Sequence, residues 1–240
     1  MTTRPVLLLH GIESGPSTFW RVGADLATLG FDVTAPTIPG NAGAPATPDG
    51  SLAALARSVP IEQPTVVVGH SLGALVALEL AAQRPELVTA LVLEDPPARS
   101  VVDPAALALE ILEDVRVARE DPEGLRDRLL AENPLWATED AVRAVANRAG
   151  VDVAHVADPL RAADWDLVAM VEAVSCPVTL IAATPAGSAL GGAEREALLA
   201  GVDRAVVVES GHGVHRDRPG VWVAVVAEAA RTACAGDGGA

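Results

Sequence analysis

The chain contains neither lysine nor tyrosine, and aromatic residues make up only 2% of its 240 residues. Arginine therefore supplies every basic side chain. The 17 arginines are outnumbered by 32 acidic residues, which leaves a formal net charge of −15. A charge of this sign disfavours nucleic acids and anionic membrane surfaces as partners, because both are bound through basic patches. It also mildly disfavours strongly anionic substrates.

Cysteine is scarce as well. The two cysteines, Cys176 and Cys234, lie far apart and lack the spacing of a metal site. We expect no structural disulfide between them, which fits a reducing cytoplasm. The apolar run at 6–9 is too short for a signal peptide or a membrane span, so the sequence predicts a cytoplasmic location.

Hydrophobic residues make up 50% of the chain, and its length suits one large α/β domain. Strand-like and helix-like segments alternate, which predicts a mostly parallel, doubly wound sheet. We predict a core formed by 1–96 and 176–233, with a helical insertion at 97–175. The Gly- and Ala-rich residues 234–240 are expected to form a flexible tail.

The most informative stretch is 66–74, where an apolar, β-branched run is followed by Gly-X-Ser-X-Gly and then by an Ala- and Leu-rich helix pattern. A buried parallel strand has such an apolar run. The chain must turn sharply at Ser71, which lifts the serine hydroxyl above the sheet. Gly69 and Gly73 stand where a Cβ would clash as strand and helix pass closely. Ser71 is therefore the candidate nucleophile.

This strand–turn–helix motif resembles the nucleophile elbow of the α/β-hydrolase family. A His-Gly pair at 10–11 and a Gly-His-X-X-His pattern at 211–215 are also similar to elements of that family. The resemblance covers nearly the whole chain. It implies a serine esterase or lactonase that forms an acyl-enzyme on Ser71, with His212 as general base. His215 is the alternative base.

The resemblance also implies where the remaining parts of the site lie. The oxyanion hole would be formed by the backbone N–H groups of Ile12 and Leu72. The insertion would be a lid whose Trp136 and Trp165 bind substrate, although it could also be a helical embellishment without substrate contact. We expect an apolar pocket for a neutral, largely apolar, small ester or lactone, and no metal or organic cofactor.

The position of the catalytic acid departs from the common family pattern. The acid usually follows the strand predicted at 178–183, but the loop after that strand contains no Asp or Glu. Glu94 and Asp95 end the preceding strand, and alternation along a strand lets only one of them face His212. We predict that this one is Glu94, because Pro96 biases Asp95 towards an extended backbone and a structural role.

Other functions are compatible with the same fold. The chain could be a ligand receptor or an inactive interaction protein without hydrolytic activity. Alternatively, it could be a hydroxynitrile lyase or a cofactor-independent haloperoxidase. Dehalogenase and epoxide hydrolase chemistry is disfavoured, because those relatives attack with aspartate and this elbow carries Ser71.

Overall fold

The computed structural model describes residues 4–154, 158 and 165–236. Its centre is a six-stranded sheet with the order β2-β1-β3-β4-β5-β6, and every strand pair is parallel. The predicted parallel, doubly wound sheet is therefore confirmed. The strands are β1 (Arg4–Leu9), β2 (Phe31–Thr34), β3 (Thr65–His70), β4 (Val88–Glu94), β5 (Val178–Ala183) and β6 (Arg204–Val208).

Helices cover both faces of this sheet, and in the part of the chain that the structure describes, α4 to α7 lie between β4 and β5. These four fall within the predicted insertion at 97–175, although the domain boundaries themselves stay predictions. The helices are α1 (Trp20–Thr28), α2 (Leu52–Ser58), α3 (Leu72–Gln83), α4 (Pro104–Glu120), α5 (Pro122–Glu132), α6 (Thr138–Ala149), α7 (Leu167–Glu172), α8 (Gly192–Gly201), α9 (Val214–Asp217) and α10 (Pro219–Gly236).

The strands read as continuous apolar runs because both faces of the sheet are buried. In β1, Leu7 and Leu9 pack into one hydrophobic cluster, whereas Val6 and Leu8 pack into the cluster on the opposite face. Every residue of β3 is buried. The alternating direction of strand side chains thus feeds two cores from one sequence run.

The carboxyl ends of β3 and β4 are held side by side, since His70 pairs with Glu94 in the strand register. The chain leaves the sheet at this edge to enter α3 and the inserted helices. At the end of the chain, α10 continues to Gly236 and therefore includes the first three residues of the tail predicted at 234–240. Residues 237–240 lie outside the described residues. No helix in the described part of the chain is long and apolar enough to cross a membrane.

The crossing of β1, β3 and α3 should tolerate no side chain at Gly73. A Cβ there would lie 2.2 Å from the Leu9 carbonyl oxygen, and that atom belongs to a central strand. We predict that Gly73→Ala lowers the free energy of unfolding by at least about 3 kcal/mol or abolishes soluble expression. Urea denaturation followed by circular dichroism measures this. Gly220→Ala is the control, since nothing lies within 4 Å of its added Cβ, and an equally mild effect at both sites would contradict the packing argument.

Candidate active site

Ser71 forms a sharp turn between β3 and α3, with φ 53° and ψ −121°. A left-handed φ is strained for a residue with a Cβ, so neighbouring contacts must hold it. The Ser71 N–H donates to the Glu94 carbonyl at 3.0 Å, and the Ser71 carbonyl accepts from Ala74 N–H at 2.8 Å. The serine lies at a cavity of about 420 Å³ that His212 also lines.

His212 is hydrogen-bonded to Asp95 and not to Glu94. Its Nδ1 lies 2.6 Å from Asp95 Oδ2, and the Asp95 side chain is fully buried. The prediction that Glu94 contacts and orients His212 is therefore wrong. Only one of the two neighbouring carboxylates faces His212, as strand alternation requires, but it is the one the sequence disfavoured.

Asp95 contacts His212 because of its own backbone conformation and because the loop after β5, which carries no acid, donates hydrogen bonds to its carboxylate. Asp95 has φ 42°, so the chain turns at this residue instead of continuing the extended strand that Pro96 was expected to impose. Its carboxylate then accepts hydrogen bonds from Ala183 N–H at 3.1 Å, from the Ser188 hydroxyl and from Ala189 N–H at 2.9 Å. The loop after β5 thus supplies donors to an acid from the neighbouring strand.

Glu94 points to the other side of the sheet and is equally buried. Its Oε1 accepts from both the backbone N–H and the Nδ1 of His215 at 2.8 Å, and its Oε2 accepts from Trp222 Nε1 at 2.9 Å. Burial raises the pKa of Glu94 and holds the pKa of His215 well below its ordinary value. His215 is accordingly a neutral, enclosed histidine that is tied to Glu94 and Thr18, not a base that faces the cavity.

His70 packs between the two histidine systems. Its ring centroid lies 4.6 Å from that of His212 and 4.9 Å from that of His215, and its Nε2 contacts the His212 carbonyl at 3.1 Å. Ligand-type atoms of His70, Glu94 and His215 lie within 4.8 Å of one another. Hydrogen bonds already occupy both Glu94 oxygens and both His215 nitrogens, whereas the buried His70 Nδ1 has no partner within the described residues. Two of the three side chains are therefore already engaged by protein contacts.

The backbone beside Ser71 has free donors. Leu72 is the first residue of α3, where an N–H has no acceptor within the helix. Among the described groups, none accepts a hydrogen bond from Ile12 N–H, and Ile12 lines the same cavity as Ser71. Gly11 brings this loop close, because a Cβ there would lie 3.2 Å from the Ser71 Cβ. The geometry is compatible with the oxyanion hole predicted from Ile12 and Leu72, whose role stays a prediction.

The buried His10 holds the loop that contains Ile12 in place through two hydrogen bonds. Its Nδ1 lies 2.8 Å from the Gly11 carbonyl, and its Nε2 accepts from Ile38 N–H at 2.9 Å. The ring therefore carries its proton on Nδ1 and is neutral. Burial lowers the pKa of His10 to about 4, which keeps the ring in this state over most of the pH range.

Only one of the two predicted substrate-binding tryptophans reaches the cavity. Trp136 lines it, but Trp165 does not. Trp165 is 5% exposed, and its Nε1 donates to the Pro97 carbonyl at 2.8 Å. The prediction that Trp165 binds substrate is therefore wrong for this cavity, because the indole is used to hold the start of the inserted segment against the core.

The cavity walls are charged, which differs from the predicted apolar pocket with few basic groups. Arg148 contacts Glu13 at 2.5 Å and Asp114 at 3.1 Å, and all three line the cavity together with Arg216. Burial raises the pKa of Glu13 to about 7 against the opposing charge of Arg148. Sequence reasoning missed both arginines. For Arg216 a signal existed, since it follows His212 by four residues.

Residues 4–148, more than half of the chain, match the family described as the alpha/beta hydrolase fold, and the chain belongs to that family. Two curated proteins are similar to it over shorter segments. Lipase LipV of Mycobacterium tuberculosis is 39% identical over 97 residues, which are 38% of this chain and 36% of that protein. The pimeloyl-(acyl-carrier protein) methyl ester esterase of Aromatoleum aromaticum is 38% identical over 96 residues, 39% of this chain and 37% of that protein. The match thus spans little more than a third of either relative.

Solved structures of other hydrolases share the fold over nearly the whole chain. The N-formylmaleamic acid deformylase of Pseudomonas putida S16 superposes with a TM-score of 0.76 at 22% identity, covering 94% of this chain and 92% of that chain. The enol-lactonase of Burkholderia xenovorans LB400 gives a TM-score of 0.68 at 17% identity, with 95% and 91% covered. At these identities the likeness concerns the fold alone.

The buried His10 should make the protein sensitive to acid. Its pKa is about 4 in the folded state against 6.5 for an ordinary histidine, so the unfolded state binds more protons between these values. The free energy of unfolding should therefore fall as the pH falls through this window. His10→Asn should lower stability at neutral pH but remove up to about 1.4 kcal/mol per pH unit of that slope.

Urea denaturation at a series of pH values measures the two slopes. Well above the ordinary pKa of histidine neither state binds a proton at this residue, so the slopes of the two proteins should agree there. An unchanged slope between the two pKa values in His10→Asn would contradict a neutral, buried His10.

Proposed function

We propose that this protein is a serine hydrolase that cleaves a carboxylic ester or lactone through an acyl-enzyme on Ser71. His212 acts as the general base, and Asp95 takes the orienting role that the sequence suggested for Glu94. The observation that carries the proposal is the convergence of three features at one cavity. These are a strained serine turn, a histidine bound through Nδ1 to a buried carboxylate, and free backbone donors beside the serine.

The arrangement supports acyl transfer in the following way. Asp95 accepts a hydrogen bond from the Nδ1–H group of His212, which leaves the lone pair on Nε2 to take the Ser71 proton as the serine attacks the carbonyl. The same carboxylate stabilises the imidazolium that forms. The N–H groups of Ile12 and Leu72 would hold the oxyanion of the tetrahedral intermediate, and a water activated by His212 would release the acyl group.

The substrate class rests on the relatives and on the cavity. A lipase and a methyl ester esterase are among the similar proteins, and a deformylase and an enol-lactonase share the fold. A cavity of about 420 Å³ suits a small molecule. Helices α4 to α6 supply part of its walls, so we propose that the insertion acts as a lid. The charged walls argue against a strictly apolar substrate.

Removal of the nucleophile tests the proposed reaction. Ser71→Ala should lower kcat for p-nitrophenyl acetate by about 10³-fold or more while the fold survives, because the acyl-enzyme can no longer form. A fluorophosphonate should label Ser71 in the wild-type protein, as located by mass spectrometry of the digested protein. Activity retained in Ser71→Ala, or loss of wild-type activity with EDTA, would overturn the mechanism. No turnover of any ester would favour a receptor or interaction protein.

The two neighbouring carboxylates should respond differently to amide substitution. Asp95→Asn should lower kcat by about 10³- to 10⁴-fold, because the amide can no longer hold the required His212 tautomer. Glu94→Gln should retain kcat within about tenfold but lower the melting temperature, since it leaves three buried donors with a poorer acceptor. Steady-state kinetics and thermal melts on both variants check this. A larger kcat loss in Glu94→Gln would restore the role predicted from sequence.

A further inference from the structure

Arg216 brings a positive charge to the serine and histidine. It lies on α9, the short helix that follows the His212 loop, and it lines the cavity with Ser71 and His212. Nothing in the proposed acyl transfer uses it. Arg216 is therefore a candidate for binding a part of the substrate other than the scissile bond.

The guanidinium of Arg216 is held in one orientation. Its Nε and Nη2 both donate to the Thr18 hydroxyl oxygen, at 3.0 and 2.6 Å. Its Cζ lies 4.4 Å from the ring centroid of Trp136, so the indole covers one face of the guanidinium. A side chain fixed in this way loses little freedom when it binds a ligand, which is the condition for a preorganised recognition group.

The Thr18 contact is the start of a directed chain of hydrogen bonds. Because the Thr18 oxygen accepts from Arg216, its hydrogen is directed to His215 Nε2 at 2.8 Å, and His215 Nδ1 in turn donates to Glu94. Glu94 thus balances the arginine only through two intervening side chains. The chain fixes the position of the guanidinium without giving it a direct carboxylate partner.

Arg216 makes no ion pair within the described residues, whereas the other arginine of the cavity, Arg148, contacts two carboxylates. Its Nη1 has no hydrogen-bond partner there and is not among the enclosed atoms that lack one, so it stays accessible on a residue that lines the cavity. Burial lowers the pKa of Arg216 to about 10, which reflects the cost of a desolvated charge. A charge in this setting is stabilised by an anion that binds to it.

The acidic residues of the cavity do not supply that anion. Glu13 and Asp114 are engaged by Arg148, and Asp114 also pairs with Arg128 at 2.6 Å. The remaining acids of the cavity, Glu110 and Glu132, are exposed. They would favour a cationic ligand, which is the competing expectation for this cavity.

We infer that Arg216 binds a free carboxylate of the substrate, so that the protein acts on a small ester or lactone that also carries a carboxylate group. The inference rests on the proposed hydrolase function for the reaction but not for the binding. A planar guanidinium with a free edge matches a carboxylate, and its place beside Ser71 would set the distance between that group and the scissile bond.

Three methyl esters of similar length test the inference, with hydrolysis followed in a pH-stat: those of glutaric acid, of glutaramic acid and of 5-aminopentanoic acid, which end in a carboxylate, a neutral amide and an ammonium group. The wild-type kcat/KM should be at least about tenfold higher for the carboxylate ester than for the amide ester, as expected for one charge-assisted hydrogen bond. A preference for the amide or the ammonium ester would overturn the inference.

Arg216→Gln should lower the ratio of kcat/KM for the carboxylate ester to that for the amide ester by at least about tenfold, mainly through KM. Arg126→Gln is the matched control, because Arg126 pairs with the neighbouring Asp127 and is not among the residues that line the cavity. It removes the same charge and should leave the ratio unchanged. An equal fall of the ratio in both variants would indicate a general charge effect and would contradict a site at Arg216.

Direct binding separates this inference from the proposed reaction and does not depend on turnover. Glutarate should bind to the wild type and to Ser71→Ala in a calorimetric titration, and at least about tenfold more weakly to Arg216→Lys, which keeps the charge but loses the guanidinium fork. Glutarate binding that depends on Arg216 without any ester hydrolysis would sustain the site and refute the hydrolase. Ser71-dependent hydrolysis together with equal glutarate binding by the wild type and Arg216→Lys would support the hydrolase and refute the carboxylate site.

Discussion

The site depends on two consecutive carboxylates that are completely buried and point in opposite directions. Glu94 and Asp95 stand at the carboxyl end of β4, and each is 0% exposed. A buried carboxylate is costly unless donors surround it, and here each one is surrounded. Asp95 is hydrogen-bonded to the end of β5, to the following loop and to His212, while Glu94 is hydrogen-bonded to α9 and α10. One dipeptide thus joins the parts of the chain that must meet at the cavity.

Two residues with a strained backbone lie at the same place. Ser71 and Asp95 both have left-handed φ values, and both directly follow neighbouring, paired strands. Hydrogen bonds of their own N–H groups hold them, from Ser71 to the Glu94 carbonyl and from Asp95 to the Ile181 carbonyl. The sheet ladder continues through the two strained residues. This explains how a central, rigid sheet can present a serine and an acid at its edge in fixed positions.

The charges of the cavity differ from those of the protein as a whole. The chain has a formal net charge of −15, which repels anions at long range. Within the cavity, however, Arg148 is balanced by acids, whereas Arg216 has no ion-pair partner among the described residues. The nearby charges govern which ligand binds in the cavity, because desolvation there strengthens the interaction between groups in contact more than the interaction with distant surface charges. The overall charge therefore says little about which ligand group binds to Arg216.

Local patterns in the sequence determined the parallel sheet, the turn at Ser71 and the loop that carries His212. They could do so because apolar runs, the Gly-X-Ser-X-Gly spacing and a short loop after the last strand each act within a few residues. Alternation along β4 further showed that one of Glu94 and Asp95 would face His212. It could not show which one, because that depends on which face of β4 lies towards the last loop and on a left-handed turn before Pro96.

Only the tertiary structure decided that choice, together with the contacts of Trp165 and Arg216. Trp165 does not line the cavity but donates to the carbonyl of Pro97, which does, and Arg216 reaches Thr18, which is 198 residues away in the chain. Residues this distant meet only when strands, loops and inserted helices have packed. The sequence names the residue types that can carry the chemistry, but long-range packing and the donors around each buried charge select among them.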